Sequence, residues 1–173
     1  MVTNQPLPSG EGPTYVEGHI YLDTTWTLAD SPYVVSKDII VDPGVTLAVM
    51  PGVEVRFGGL FSLTVEGILS ASGTPDRPIR FTSNKIEPEE GDWNTIKFKS
   101  AQKSTLSYAV LNYATNALTI ENGSVEIQNC RMSNNSQSGV YATGESQALV
   151  KRNIIRSNQN GILVTGNSTT VNI

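Results

Sequence analysis

A period of about 22 residues in the second half of this chain restricts its fold more tightly than anything else in the sequence. The segment Ser133-Asn134-Asn135-Ser136-Gln137-Ser138-Gly139-Val140-Tyr141-Ala142-Thr143-Gly144 is followed by Ser157-Asn158-Gln159-Asn160-Gly161-Ile162-Leu163-Val164-Thr165-Gly166. Each reads as a polar Ser/Asn turn, a glycine, a short alternating run and a closing Thr-Gly. A weaker copy ends in Ala117-Leu118-Thr119-Ile120-Glu121-Asn122-Gly123, and the run centres Ile120, Ala142 and Val164 are evenly spaced. A fixed period of this size describes one structural unit stacked on copies of itself.

The first half carries the same unit in a longer form. Val41 matches Val65, Gly44 matches Gly67 and Phe57 matches Phe81, all about two dozen residues apart. Within Val53-Glu54-Val55-Arg56-Phe57 the apolar residues alternate with charged ones, the pattern of a strand with one buried face. No amphipathic helix is evident. Charged residues make up only 16% of the chain, so the polar surface falls to Ser, Thr, Asn and Gln, which suits turns between short strands. Hairpins need tight two-residue turns between neighbouring strands. Asn-Gly occurs only at 122–123 and 160–161, so a coil whose equivalent strands stack in parallel explains the period better. The predicted fold is all-β, a solenoid of about seven coils of roughly 22 residues.

One phrase is more specific. It runs from Trp26-Thr27-Leu28-Ala29-Asp30 through Ile40-Val41-Asp42-Pro43-Gly44-Val45-Thr46-Leu47 and Met50-Pro51-Gly52-Val53-Glu54-Val55-Arg56-Phe57. It closes on Pro78-Ile79-Arg80-Phe81-Thr82-Ser83. This phrase resembles the right-handed parallel β-helix repeats of secreted and cell-surface bacterial and archaeal proteins, which are similar in fold to pectate lyases. The resemblance covers about residues 20 to 173 and implies a right-handed parallel β-helix and an extracellular or cell-surface setting. It implies no single activity, because the fold hosts lyases, hydrolases, adhesins and passive stalks.

Four regions are expected. Residues 1–14, rich in Pro and Gly, read as a flexible leader, and residues 15–37 as an N-terminal cap. Residues 38–173 read as coils, interrupted by an irregular loop at 84–92. Trp26 and Tyr33 are the expected capping residues, because an open solenoid end exposes core side chains and strand edges. The chain ends in the strand-like Thr169-Thr170-Val171-Asn172-Ile173, so this end is expected to meet further domains of the same protein or another copy end to end.

Candidate chemistry is sparse. No catalytic residue is assigned. Paired aspartates and a Gly-His-Gly, which the resemblance implies for hydrolases of this fold, are absent. Glu87, Glu89, Glu90 and Asp92 are the one acidic cluster able to supply oxygens to Ca²⁺, and no other cofactor is indicated. Arg131, Lys151, Arg152 and Arg156 form a basic set, of which Arg131 and Arg156 fall near the same face of successive coils and mark a ligand-binding candidate. The resemblance implies that in β-helix lyases a basic residue abstracts the proton beside a uronate while Ca²⁺ holds the sugar acid. Trp93, Tyr113 and Tyr141 are candidates for a stacking platform under a saccharide. The lone cysteine, Cys130, reads as a small buried hydrophobe. A net charge of −4 without a basic stripe argues against nucleic acid, and no run is apolar enough to span a membrane.

The function expected is therefore a non-catalytic extracellular module: a surface, stalk or adhesive element that contacts polysaccharide or another cell-surface component, within a longer protein. Two rival readings stand beside it. One is a polysaccharide lyase or other carbohydrate-active enzyme fragment. The other is a self-assembling filament or surface-layer subunit.

Overall fold

The computed structural model describes residues 12–166 and 169–173. Most of the expected leader lies outside this range, and the first strand already begins at Thr14. Coil one is β1 (Thr14–Ile20) and β2 (Thr24–Trp26), and coil two is β3 (Tyr33–Val41) and β4 (Thr46–Val49). Coil three is β5 (Glu54–Phe57), β6 (Ser62–Val65) and β7 (Ile68–Ser72). Coil four is β8 (Ile79–Ser83), β9 (Thr95–Phe98) and β10 (Lys103–Ser107). Coil five is β11 (Ala109–Asn112), β12 (Asn116–Glu121) and β13 (Ser124–Gln128). Coil six is β14 (Arg131–Ser133), β15 (Ser138–Thr143) and β16 (Gln147–Lys151). Coil seven is β17 (Ile154–Arg156), β18 (Asn160–Val164) and β19 (Thr170–Asn172).

Three faces follow from the pairing, all of it parallel. The first is the stack β5-β8-β11-β14-β17 built on the leading half of β3, and the second is β6-β9-β12-β15-β18 built on its trailing half. β3 thus belongs to both, and β1 pairs along its length with a register shift between Val16 and Gly18. The third face is the seven-stranded sheet β2-β4-β7-β10-β13-β16-β19, one strand per coil.

Stacking of like on like makes the core. On the second face Val41, Val65, Phe98, Ile120, Ala142 and Val164 form one inward column. All are buried except Val164, in the last coil, which is 44% exposed. Val41 lies on Val65 as the sequence predicts, but Phe57 does not lie on Phe81: Phe81 pairs with Val55 and Phe57 with Ser83. Gly44 and Gly67 share a corner rather than a register. Four residues separate β3 from β4, and only Glu66-Gly67 separate β6 from β7, so the later turn cuts inside the earlier one. An added Cβ on Gly67 would sit 2.2 Å from the Val45 carbonyl oxygen and 2.4 Å from that of Asp42.

The expected cap takes a different form. Residues of β1 and β2 build a coil of their own, and only the 3-10 turn Leu28–Asp30 leaves the solenoid path. Trp26 and Tyr33 stack with ring centroids 4.7 Å apart and are 1% exposed. Their register neighbours in the next coil are Val49 and Val55, so both rings lie inside the core.

Two corners are turned by single left-handed residues. Tyr108, Asn129 and Arg152 (φ 47°, 55° and 54°) stack at the corner between the third and first faces. Tyr113, Asn134 and Ser157 (φ 67°, 56° and 53°) stack at the corner between the first and second. This backbone region costs non-glycine residues about 1–2 kcal/mol each. Ladder hydrogen bonds to the next coil offset it: Tyr108 N–H donates to Gln128 O, Asn129 to Lys151 O, Tyr113 to Asn134 O, and Asn134 to Ser157 O. Asparagine side chains behind the corners satisfy the rest. Asn135 Oδ1 accepts from Ala114 N–H at 2.9 Å, and Asn158 Oδ1 accepts from the Asn135 amide at 2.9 Å.

Candidate functional site

The first face narrows above coil four. β11, β14 and β17 have four, three and three residues, each held between two left-handed corners. Side chains on such a strand alternate in and out. Leu111 and Met132 point into the core, while Val110, Arg131 and Ile154 form an outward column in register. A second outward column runs Asn112, Ser133, Arg156. Below them Thr74, Pro75 and Pro78, from the turn between β7 and β8, rise beside the strands. That turn is closed by reciprocal hydrogen bonds between the backbones of Thr74 and Arg77. The result is a groove of about 680 Å³ along the first face.

Arginine dominates it. Arg80, Arg131, Arg152 and Arg156 line the groove with Tyr108, Asn129 and Ser133, and the lining contains no Asp, Glu, His or Lys. Each of the four is exposed. Elsewhere most cations are matched: Lys37, Lys85, Lys97, Lys99 and Lys103 each meet a carboxylate and Arg56 meets Glu54, with Arg77 and Lys151 the exceptions among the described residues. Among the described residues none of the four groove arginines makes an ion pair, although Glu54 is the strand neighbour of Arg80. The Glu54 carboxylate turns instead to Arg56, 2.9 Å away. Cys130 lies under the floor, 1% exposed, and burial pushes its thiol up to about 11. At neutral pH it is a protonated, inert side chain.

The sequence-predicted residues fall in several places. Arg131 and Arg156 both lie in the groove, on adjacent strands but in different columns. Lys151 is not among its lining residues; it ends β16 on the third face. Arg152, from the same basic set, also lines the groove, whereas Arg80 and Tyr108 complete it without being singled out by the sequence. Register with Val110 and the left-handed corners are what bring them in.

The aromatic platform does not form. Trp93 is 0% exposed, lies flat on Phe57 with centroids 4.2 Å apart, and donates its indole N–H to Asn112 O at 2.8 Å. Leaving the irregular loop, the chain turns inward at Trp93 to fill the corner, so this ring is core. Tyr113 packs against the core, half-buried, at a left-handed corner. Tyr141 points out from the second face between Thr119 and Leu163, with Thr165 Oγ1 donating to its hydroxyl at 3.1 Å. None of the three lines the groove.

The acidic loop does not gather its carboxylates. Glu87, Glu89 and Glu90 are exposed. Asp92, with its side chain 4% exposed, accepts from Lys85 Nζ, Ser83 Oγ and Glu89 N–H. Burial opposes its charge, but these three donors outweigh burial and hold its carboxyl below the usual range. Its oxygens are occupied in bracing the loop. Among the described residues, no three of His, Cys, Asp and Glu converge where a Ca²⁺ ion needs oxygens. No helix among them is long and apolar enough to cross a membrane.

Comparison with known proteins bears on the coils themselves. The family model described as "Right handed beta helix region" matches residues 67–173. The Drosophila melanogaster protein named "Protein bark beetle" is 38% identical over 65 residues, a stretch covering 38% of this chain and 2% of that protein. No solved structure matches.

Proposed function

We propose, on the premise that this chain belongs to the right-handed β-helix family, that it is a non-catalytic extracellular module whose first face contacts polysaccharide. The observation that carries this reading is the groove, which offers four guanidinium groups, the hydroxyls of Thr74, Tyr108 and Ser133 and the Asn129 amide but no carboxylate or imidazole. Acid–base chemistry by a carboxylate or an imidazole has no such group among the lining residues. A metal-assisted route needs carboxylates to hold the ion. Guanidinium groups, hydroxyls and amides recognise a ligand without either. The extracellular setting is supported by the resemblance of the first-half phrase to secreted and cell-surface repeats. A surface, stalk or adhesive role is consistent with a long regular body bearing one recognition face.

The test is incubation of the purified chain with a panel of neutral and acidic polysaccharides, reading retention and cleavage in parallel. Retention without new reducing ends or new ultraviolet absorbance is expected. Unsaturated products that appear with the wild type and vanish in Arg156→Ala would make the chain a lyase and end this reading.

A further inference from the structure

We infer that the ligand of the first-face groove is a linear acidic glycan, carrying carboxylate or sulfate groups, gripped directly by Arg131, Arg152 and Arg156 without a bridging metal ion. This inference rests on the polysaccharide-contacting reading above and adds to it the charge of the ligand and the means of its capture.

Charge comes first. The whole chain carries −4, yet the first-face groove is lined by four arginines and no acid. Among the described residues six of the eight cations outside the groove meet a carboxylate, Arg77 and Lys151 being the exceptions, whereas none of the four groove arginines does. Unpartnered guanidinium groups on adjoining strands repel one another, and an anion between them removes that repulsion. Arginine also offers a planar fork that matches carboxylate and sulfate oxygens in two parallel hydrogen bonds.

Shape comes second. Arg80, Val110 and Arg131 form one column parallel to the solenoid axis. Strands in a sheet lie about 4.8 Å apart, so Arg80 and Arg131 are about 10 Å apart along the axis, and Arg156 lies about 5 Å further. The charges are therefore strung along the axis over about 14 Å, matching an extended polymer rather than a single small anion. Arg152 flanks this line at the left-handed corner, stacked above Asn129 and Tyr108.

Chemistry comes third. Between the arginines lie the Ser133 hydroxyl and the Asn129 amide, with Thr74 at the lower end, groups that hydrogen-bond sugar hydroxyls. Single-stranded nucleic acid would ask for a run of exposed rings on which bases stack. Tyr108 is the one ring in the lining, while Trp26, Trp93, Phe57, Phe81 and Phe98 are buried. Ca²⁺ bridging would ask for protein carboxylates that the lining lacks.

The experiment is calorimetric titration of the full chain with polygalacturonate (carboxylate), heparin (sulfate), dextran (neutral) and a single-stranded oligonucleotide, with and without EDTA. Binding to polygalacturonate, heparin or both is expected, unchanged by EDTA and weakened by added salt. The stronger of the two identifies carboxylate or sulfate as the preferred group. The double variant Arg131→Gln/Arg156→Gln is expected to bind at least tenfold more weakly, and Lys37→Gln like the wild type. A circular dichroism melt of each variant shows that the coils are intact; if the double variant is unfolded, Arg152→Gln alone is expected to lose several-fold in affinity. Loss of binding with EDTA, full binding by the folded variants, or an oligonucleotide bound as tightly as the glycans would each overturn the inference. Retention of dextran alone would overturn it while leaving the polysaccharide-contacting reading intact. Cleavage of any glycan would overturn the non-catalytic reading instead.

Discussion

Asn135 is the residue on which most corner hydrogen bonds converge. Fully buried, it accepts from Ala114 N–H and donates to Asn158, whose own amide donates to Met132 O at 3.2 Å. Replacing Asn135 with Leu leaves the Ala114 N–H buried and unpaired, and each such orphan costs about 1–3 kcal/mol. Urea unfolding is expected to report a loss of roughly 3 kcal/mol, the sum of that orphan and a strained corner; a change under 0.5 kcal/mol would show the ladder to be dispensable. Gly67→Ala is expected to lose about 2 kcal/mol in the same assay, because the carbonyls of Asp42 and Val45 must move to admit a methyl group. Cys130 is expected to stay unlabelled by thiol reagents at pH 8 until the chain unfolds, given its burial and raised pKa. The burial of Cys130 is readable from the general tendency of a free cysteine to act as a small buried hydrophobe, although it lies at the corner between β13 and β14 and not within a strand. The burial of Trp93 is not, because it follows an insertion that breaks the period, and alternation says nothing about a residue at a corner.

The loop at 84–92 is an element held by one carboxylate. Its tip residue Ile86 is wholly exposed, while at its far end Gly91 N–H donates to Tyr113 O. The lowered pKa of Asp92 gives the pinning a definite pH window. Stability from a depressed carboxyl is present above its unfolded value of about 3.9 and lost as pH falls through the folded one. Lys85, raised chiefly by its hydrogen bond to Asp92, contributes below its unfolded value of about 10.4 and ceases as pH rises through the higher folded one. The loop is thus expected to be braced from about pH 4 to beyond pH 10. NMR titration of Asp92 should place its midpoint below that of an unstructured aspartate; an ordinary midpoint would disprove the brace. In Asp92→Asn, proteolysis between 84 and 91 at pH 7 should be several-fold faster. The loop's position was legible in the sequence because it interrupts a period. Its inner fastening was not, since four acids in nine residues look alike until the backbone singles one out. Register behaved similarly: Val41 over Val65 could be read from spacing, whereas Phe57 over Phe81 failed because corner lengths differ between coils.

Across the whole molecule each coil touches mainly the coils beside it, so stability is expected to grade along the axis. Amide hydrogen exchange should be slowest in β6, β9 and β12, which have strands on both sides, and fastest in β17, β18 and β19. Uniform protection would mean that the last coil is covered in solution. The solenoid was plain from the sequence because stacking repeats its side chains. The groove was only half visible, since Val110 interrupts the column shared by Arg80 and Arg131, and Arg156 belongs to the neighbouring column. The single-residue corners have one further consequence. Because Asn129 and Asn134, like Arg152 and Ser157 one coil on, turn the chain without any added loop, a coil is a modular unit that a duplication could insert. Such an insertion between coils six and seven would leave the fold's rules intact while moving Arg156 away from Arg131 by one strand spacing, about 4.8 Å. The molecule is in this sense a ruler graduated in coils, and descendants could measure out longer or shorter ligands by counting repeats rather than by rebuilding a site.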